Sequence, residues 1–102
     1  MPAKIKDPDQ ALLFLFRHPL RRELLRLYVK ESGSLSPKQL SDFTKKHLSL
    51  VSFHVRELAK HGAVELIETR PRRGSVEHLY KATDLIDAVP WARAALGLPP
   101  TS

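Results

Sequence analysis

Three arginines crowd into Arg70-Pro71-Arg72-Arg73-Gly74-Ser75, beside a rigid proline and a permissive glycine, with Glu68 the nearest acid before them. Guanidinium groups stay charged and donate in planar forks, so such a cluster repels itself until an anionic backbone or a narrow minor groove relieves it. The plain alternative is a solvated loop. A second group stands at Ser49, Leu50, Ser52, Phe53 and Arg56. Val51, Val55 and Leu58 repeat at i, i+4, i+7, and a helix burying that row turns those five residues outward. The serine hydroxyls can serve phosphate or base edges, and Arg56 can reach a guanine O6/N7 pair or a phosphate. Leu50 and Phe53 are unusual on such a face. They can meet thymine methyls, cover the edge of the core or dock a protein partner.

Ser36, Lys38, Lys45 and Lys46 make a third group, able to position phosphate without reading sequence, or to be ordinary surface residues. Arg22, Arg26 and Lys30 form a like-charged row that reads as a solvated helix face. Other chemistries find little support. There are five histidines and no cysteine, no two histidines stand at i, i+3 or i+4, and His54 and His61 are two helical turns apart, so neither a metal nor another cofactor is expected. His54 is expected half-buried and His18 is expected to be a weak helix cap. Ser, His and Asp occur without a nucleophile elbow, a phosphate-cradling glycine loop or a zinc-protease spacing, and no enzyme is expected.

The elements that must position these groups follow from periodicity. Asp7-Pro8-Asp9 predicts a cap before a helix at Gln10–Arg17, apolar enough to be buried on more than one side. Pro19 starts a second helix whose Leu20, Leu24, Leu27 and Tyr28 face inward and which Gly33 is expected to end. Ser36-Pro37-Lys38-Gln39 has the composition of a capping box, opening a helix to about Lys46 that buries Leu40 and Phe43. The next helix is expected to start at a Ser49 cap and to end at Gly62 in the left-handed conformation. Val64–Thr69 and Val76–Ala82 then read as a β-hairpin around the arginine-rich tip, and a short helix is expected at Trp91–Leu96.

The 102 residues, 42% hydrophobic and 27% charged, suit one domain spanning 1–102. Its longest apolar run, Ala11–Phe16, is far shorter than the roughly 20 residues of a membrane span. No secretory pattern is evident, and a cytoplasmic protein without a membrane partner is expected. The net charge of +6 points to an anionic partner, and its excess lies between residues 17 and 82. Three helices, the last two joined by a tight turn, followed by a basic-tipped hairpin, make a mainly α fold with a small β-hairpin, a winged helix-turn-helix.

The residues themselves carry a resemblance. His18-Pro19-Leu20-Arg21-Arg22-Glu23-Leu24-Leu25 resembles the start of the second helix in ArsR-like bacterial repressors, and Val51-Ser52-Phe53-His54-Val55-Arg56-Glu57-Leu58 with Gly62-Ala63-Val64 resembles their recognition helix and its exit. The likeness covers about residues 9–82. It is greatest to actinobacterial members with a Val-Ser-aromatic-His-Val-Arg core and an arginine-rich wing tip followed by Val-Glu-His, here Val76-Glu77-His78. The resemblance implies a recognition helix in the major groove, a wing on the adjoining minor groove or backbone, and terminal helices that build a homodimer. Lys45-Lys46-His47 lacks the customary turn glycine, and the cysteine metal-sensing motif of the founding members is absent.

The expected function is sequence-specific binding of double-stranded DNA as a transcriptional regulator, with repression by promoter occlusion. Its rival is a winged-helix protein interaction module docking through Leu50 and Phe53. Dimer contacts are expected at Leu12, Leu13, Phe16, Trp91 and Leu96, since the first helix and the 83–102 tail offer more apolar surface than one small core absorbs; the alternative is a monomer whose terminal helices pack on each other.

Overall fold

In the computed structural model, which describes residues 7–100, the Asp7 carboxylate caps helix α1 (Pro8–Phe16) by accepting the Gln10 backbone N–H at 3.2 Å. Met1–Lys6 and Thr101–Ser102, inside the expected domain span of 1–102, lie outside the described residues. Helix α2 (Pro19–Glu31) opens on Pro19 in its first turn. His18 holds its N-cap position without a side-chain bond, so the expected histidine cap is absent. Ser32, with φ of 54°, takes the left-handed position at the end of α2, where Gly33 was expected to do so.

Both bonds of the Ser36 capping box are present at the start of α3 (Pro37–Thr44): Ser36 Oγ accepts from Gln39 N at 3.2 Å, and Ser36 N donates to Gln39 Oε1 at 2.9 Å. The side of α3 that meets the fold runs through Leu40, Ser41 and Thr44, which rotates Phe43 outward to 55% exposure instead of into the core. Lys45 then adopts φ of 60° in place of a glycine, Ser41 Oγ donates to Lys46 O at 2.6 Å, and α4 (Leu48–Lys60) begins after His47. Ser49, the expected cap, is already inside the first turn. Gly62, with φ of 83°, releases the chain from α4 as expected.

Strands β1 (Val64–Arg72) and β2 (Ser75–Ala82) form an antiparallel hairpin with an irregularity between Leu66 and Glu68. The strands run further toward the tip than predicted, because Pro71 pairs with Val76 and Arg72 with Ser75. Only Arg73 and Gly74 remain in the turn. Both have positive φ, 37° and 85°, the combination a two-residue type I′ turn needs. Leu35, between α2 and α3, exchanges hydrogen bonds with Tyr80 at 2.8 and 3.0 Å and ties the hairpin to the helices.

A single core joins Leu12 and Leu15 of α1, Leu24, Leu25 and Tyr28 of α2, Leu40 of α3 and Val51, Val55 and Leu58 of α4. Burial raises the Tyr28 pKa, so the phenol stays protonated and donates to Leu35 O at 3.1 Å. The tail adds a short 3₁₀ turn at Ile86–Ala88 and a single-turn helix α5 (Ala92–Ala95). Its Leu85, Ile86, Val89, Ala92 and Leu96 enter the same core. Leu12 and Leu96 are therefore buried within the chain, which removes them from the expected dimer surface. Phe16 and Trp91 meet edge to face at 5.5 Å, and Leu13 remains half exposed. Among the described residues, no helix is long and apolar enough to cross a membrane.

Candidate functional site

Helix α4 divides by periodicity. Val51, His54, Val55 and Leu58 are buried, while Ser49, Phe53, Arg56 and Lys60, at i, i+4, i+7 and i+11, form the opposite, exposed row. Ser52 lies half-buried beside that row, and Leu48 and Leu50 flank it as further exposed apolar groups. All five outward residues predicted from sequence thus share the outer side of α4. Leu48 was missed, because it precedes the Ser49 taken as the helix cap.

A groove connects this helix with two other elements. Ser36, Pro37 and Lys38 from the start of α3, Leu48 and Ser52 from α4, and Arg72, Ser75, Val76, His78 and the acid Glu77 from the hairpin line it together. Of the predicted residues the groove gathers Ser36, Lys38, Ser52 and Arg72. Ser36 is itself 1% exposed with its hydroxyl committed to the helix cap, so it positions the start of α3 rather than offering a free hydroxyl. Lys38 pairs with Asp42 at 2.9 Å. Lys45 and Lys46 are exposed on the turn before α4.

The arginines do not form the self-repelling cluster that their spacing suggested. Arg70 makes a forked contact with Glu68, Nε to Oε2 at 2.8 Å and Nη2 to Oε1 at 3.3 Å, which holds the Glu68 carboxyl below its ordinary pKa and raises that of Arg70. Arg72 meets Glu77 at 3.3 Å across the strands. Arg70 and Glu68 stand two residues apart on the same side of β1, whereas strand register sets the second pairing, placing Arg70 opposite Glu77 and Arg72 diagonal to it, two residues nearer the tip. Arg73 at the turn and Arg56 on α4 are paired with no carboxylate among the described residues. Exposed pairs like that of Arg70 open at little cost, so all three hairpin arginines can turn to another anion.

Behind the exposed row lies an arrangement that sequence reading missed. Arg21 is buried, and its Nε donates to Nδ1 of His54 at 3.0 Å. Arginine can only donate, so Nδ1 is the acceptor and the neutral imidazole carries its proton on Nε2. His54 is 2% exposed rather than half-buried, with the His18 ring 4.3 Å away and the Phe53 ring 5.1 Å away, edge on. Burial first, then the His18 and Arg21 charges, lower the His54 pKa, against an opposing pull from Glu57. Phe14 covers the Arg21 guanidinium at 5.4 Å and stacks on His61 at 4.6 Å. The signal was present: Arg21 precedes Leu24, Leu25 and Tyr28 by three, four and seven residues, on the buried side of α2.

Among the described residues no three His, Asp or Glu side chains converge as metal ligands would. Chemically, the outer surface of α4, the turn before it and the hairpin present cations, hydroxyls and apolar groups together. Such a surface suits a ligand that is anionic along its edges and partly apolar between them. Neither a protein-family model nor a curated protein matches the chain.

Proposed function

We propose that the chain is an ArsR-like winged helix-turn-helix protein that binds double-stranded DNA sequence-specifically as a homodimeric transcriptional regulator, repressing by occupying a promoter. Binding rather than chemistry is its activity. The observation that carries the reading is the groove shared by the start of α3, the outer side of α4 and the hairpin. It lets α4 enter a major groove while Arg72 and Arg73 reach the neighbouring backbone or minor groove and Lys45 and Lys46 hold phosphate. The net charge of +6 supplies the long-range attraction. For the dimer, the surface that remains open is Leu13 together with the Phe16–Trp91 edge.

A second reading, a winged-helix module that docks a protein, is favoured by the exposure of Phe43, Leu48, Leu50 and Phe53. Replacement of Arg70, Arg72 and Arg73 by alanine separates the two. Under the DNA reading, anisotropy titrations of a labelled duplex at several salt concentrations show weaker binding and a salt slope shallower by roughly one unit per lost phosphate contact. Arg73→Ala is expected to have the largest single effect, since Arg73 has no internal acid to leave. An unchanged affinity and slope in the triple variant would favour the docking module.

A further inference from the structure

Phe53 occupies the middle of the outward row of α4, with Ser49 one turn before it and Arg56 one turn after. It is 47% exposed and its neighbour Leu50 is 43% exposed, and neither belongs to the buried core. The Phe53 ring is steadied from behind, where it meets the edge of the buried His54 that Arg21 holds in place. Leu50 borders a shallow depression with His18, Pro19, Leu20, Glu23 and Lys46. Together they form an apolar centre in the N-terminal half of α4, with hydroxyls beside it, Lys46 at the Leu50 depression, Lys45 on the turn before the helix and Arg56 one turn after Phe53. Two acids are also near, Glu23 in the same depression and Glu57 two turns after Leu50, so the cations at Lys45, Lys46 and Arg56 outnumber them.

A charged rim of this sign around an apolar centre selects its occupant. A major groove carries phosphates along both edges, and between them the only apolar group that a base pair presents is the C5-methyl of thymine. The N-terminal residues of a helix lying in that groove are the ones that reach base edges. Resting on the DNA reading above, we propose that Phe53 and Leu50 determine sequence preference by packing against thymine methyls, so that the bound site carries thymines opposite the first two turns of α4. Ser49 and Arg56 then fix the register on either side.

The test compares a duplex enriched from a randomised pool by the wild-type protein with copies in which each thymine in turn is replaced by deoxyuridine. That change deletes the methyl and keeps the base pairing. Wild-type affinity is expected to fall roughly fourfold at each methyl in contact, the factor for removing one buried carbon. Phe53→Ala, at an exposed position that leaves the core intact, is expected to bind the thymine duplex several-fold more weakly and to lose discrimination at the position it served. If every deoxyuridine copy binds the wild-type protein as well as the parent duplex, the inference is overturned while DNA binding stands. If no duplex is enriched, the DNA reading falls and this inference with it.

Discussion

Arg21 and His54 solve a problem of burial by pairing a cation with a neutral ring in place of a carboxylate. A hydrogen bond to a charged group contributes about 1.5–3 kcal/mol, and this one also fixes the inner side of α4 against α2. The bond requires an unprotonated Nδ1, so it titrates. With the folded pKa of His54 lowered, the unfolded chain binds the proton more readily. Stability is therefore constant above the ordinary histidine value of about 6.5 and declines as pH falls through it, by at most roughly 1.4 kcal/mol per pH unit from this one group. His61, also lowered mainly by burial, adds to the same slope. His54→Asn keeps an acceptor near the Nδ1 position and does not titrate, so its melting temperature is expected to fall less than that of the wild-type protein between pH about 8 and about 5.5. Parallel curves for the two proteins would contradict this assignment. The row of α2 pointed to Arg21, but it was given no place in the core, because a charged side chain is seldom buried. Phe43 shows the converse error, since apolar spacing marked it as core and only the facing of α3 against α4 turned it out.

At the scale of elements, local chemistry was legible at some helix ends and misread at others, where Ser32 rather than Gly33 closes α2 and Ser49 lies inside α4 rather than capping it. The Ser36 and Gln39 capping pair, the Asp7 cap and the Gly62 exit all follow from side-chain types at fixed offsets. What could not be read was pairing across the hairpin, which joins Arg72 to Glu77 and draws two arginines into strands. The turn between α3 and α4 is a further case. Its missing glycine is replaced by Lys45 in the left-handed region, a conformation that costs a side-chain-bearing residue roughly 1–2 kcal/mol. Lys45→Gly is thus expected to raise stability by about 1 kcal/mol in urea denaturation. The same change is expected to weaken duplex binding and to lower its salt slope, because a cation at the start of α4 is lost. Greater stability with unaltered DNA affinity would make Lys45 an ordinary surface residue, and lower stability would contradict the conformational account.

For the molecule as a whole, the tail proved to belong to the core. The surplus of apolar residues in α1 and in 83–102 was legible, but the choice between a second chain and packing of the terminal segments on each other was not, because the entry of Leu85, Ile86, Val89, Ala92 and Leu96 into the core depends on a chain path that no local pattern encodes. The proposed dimer is left with a smaller surface centred on Leu13. Leu13→Asp, at a half-exposed position, is expected to leave the unfolding free energy of dilute protein within about 1 kcal/mol of wild type and to shift sedimentation from dimer to monomer. An unchanged sedimentation profile would place the interface elsewhere or exclude it. A two-fold dimer sets its two α4 helices about 34 Å apart and so requires a two-fold-related site on the duplex. The central claim is tested most directly by titrating the purified protein, by fluorescence anisotropy, with a randomised duplex pool and then with its selected fraction across salt concentrations. Steep salt dependence with enrichment of a two-fold-symmetric sequence is the result predicted, and weak binding without enrichment is the result that would contradict it.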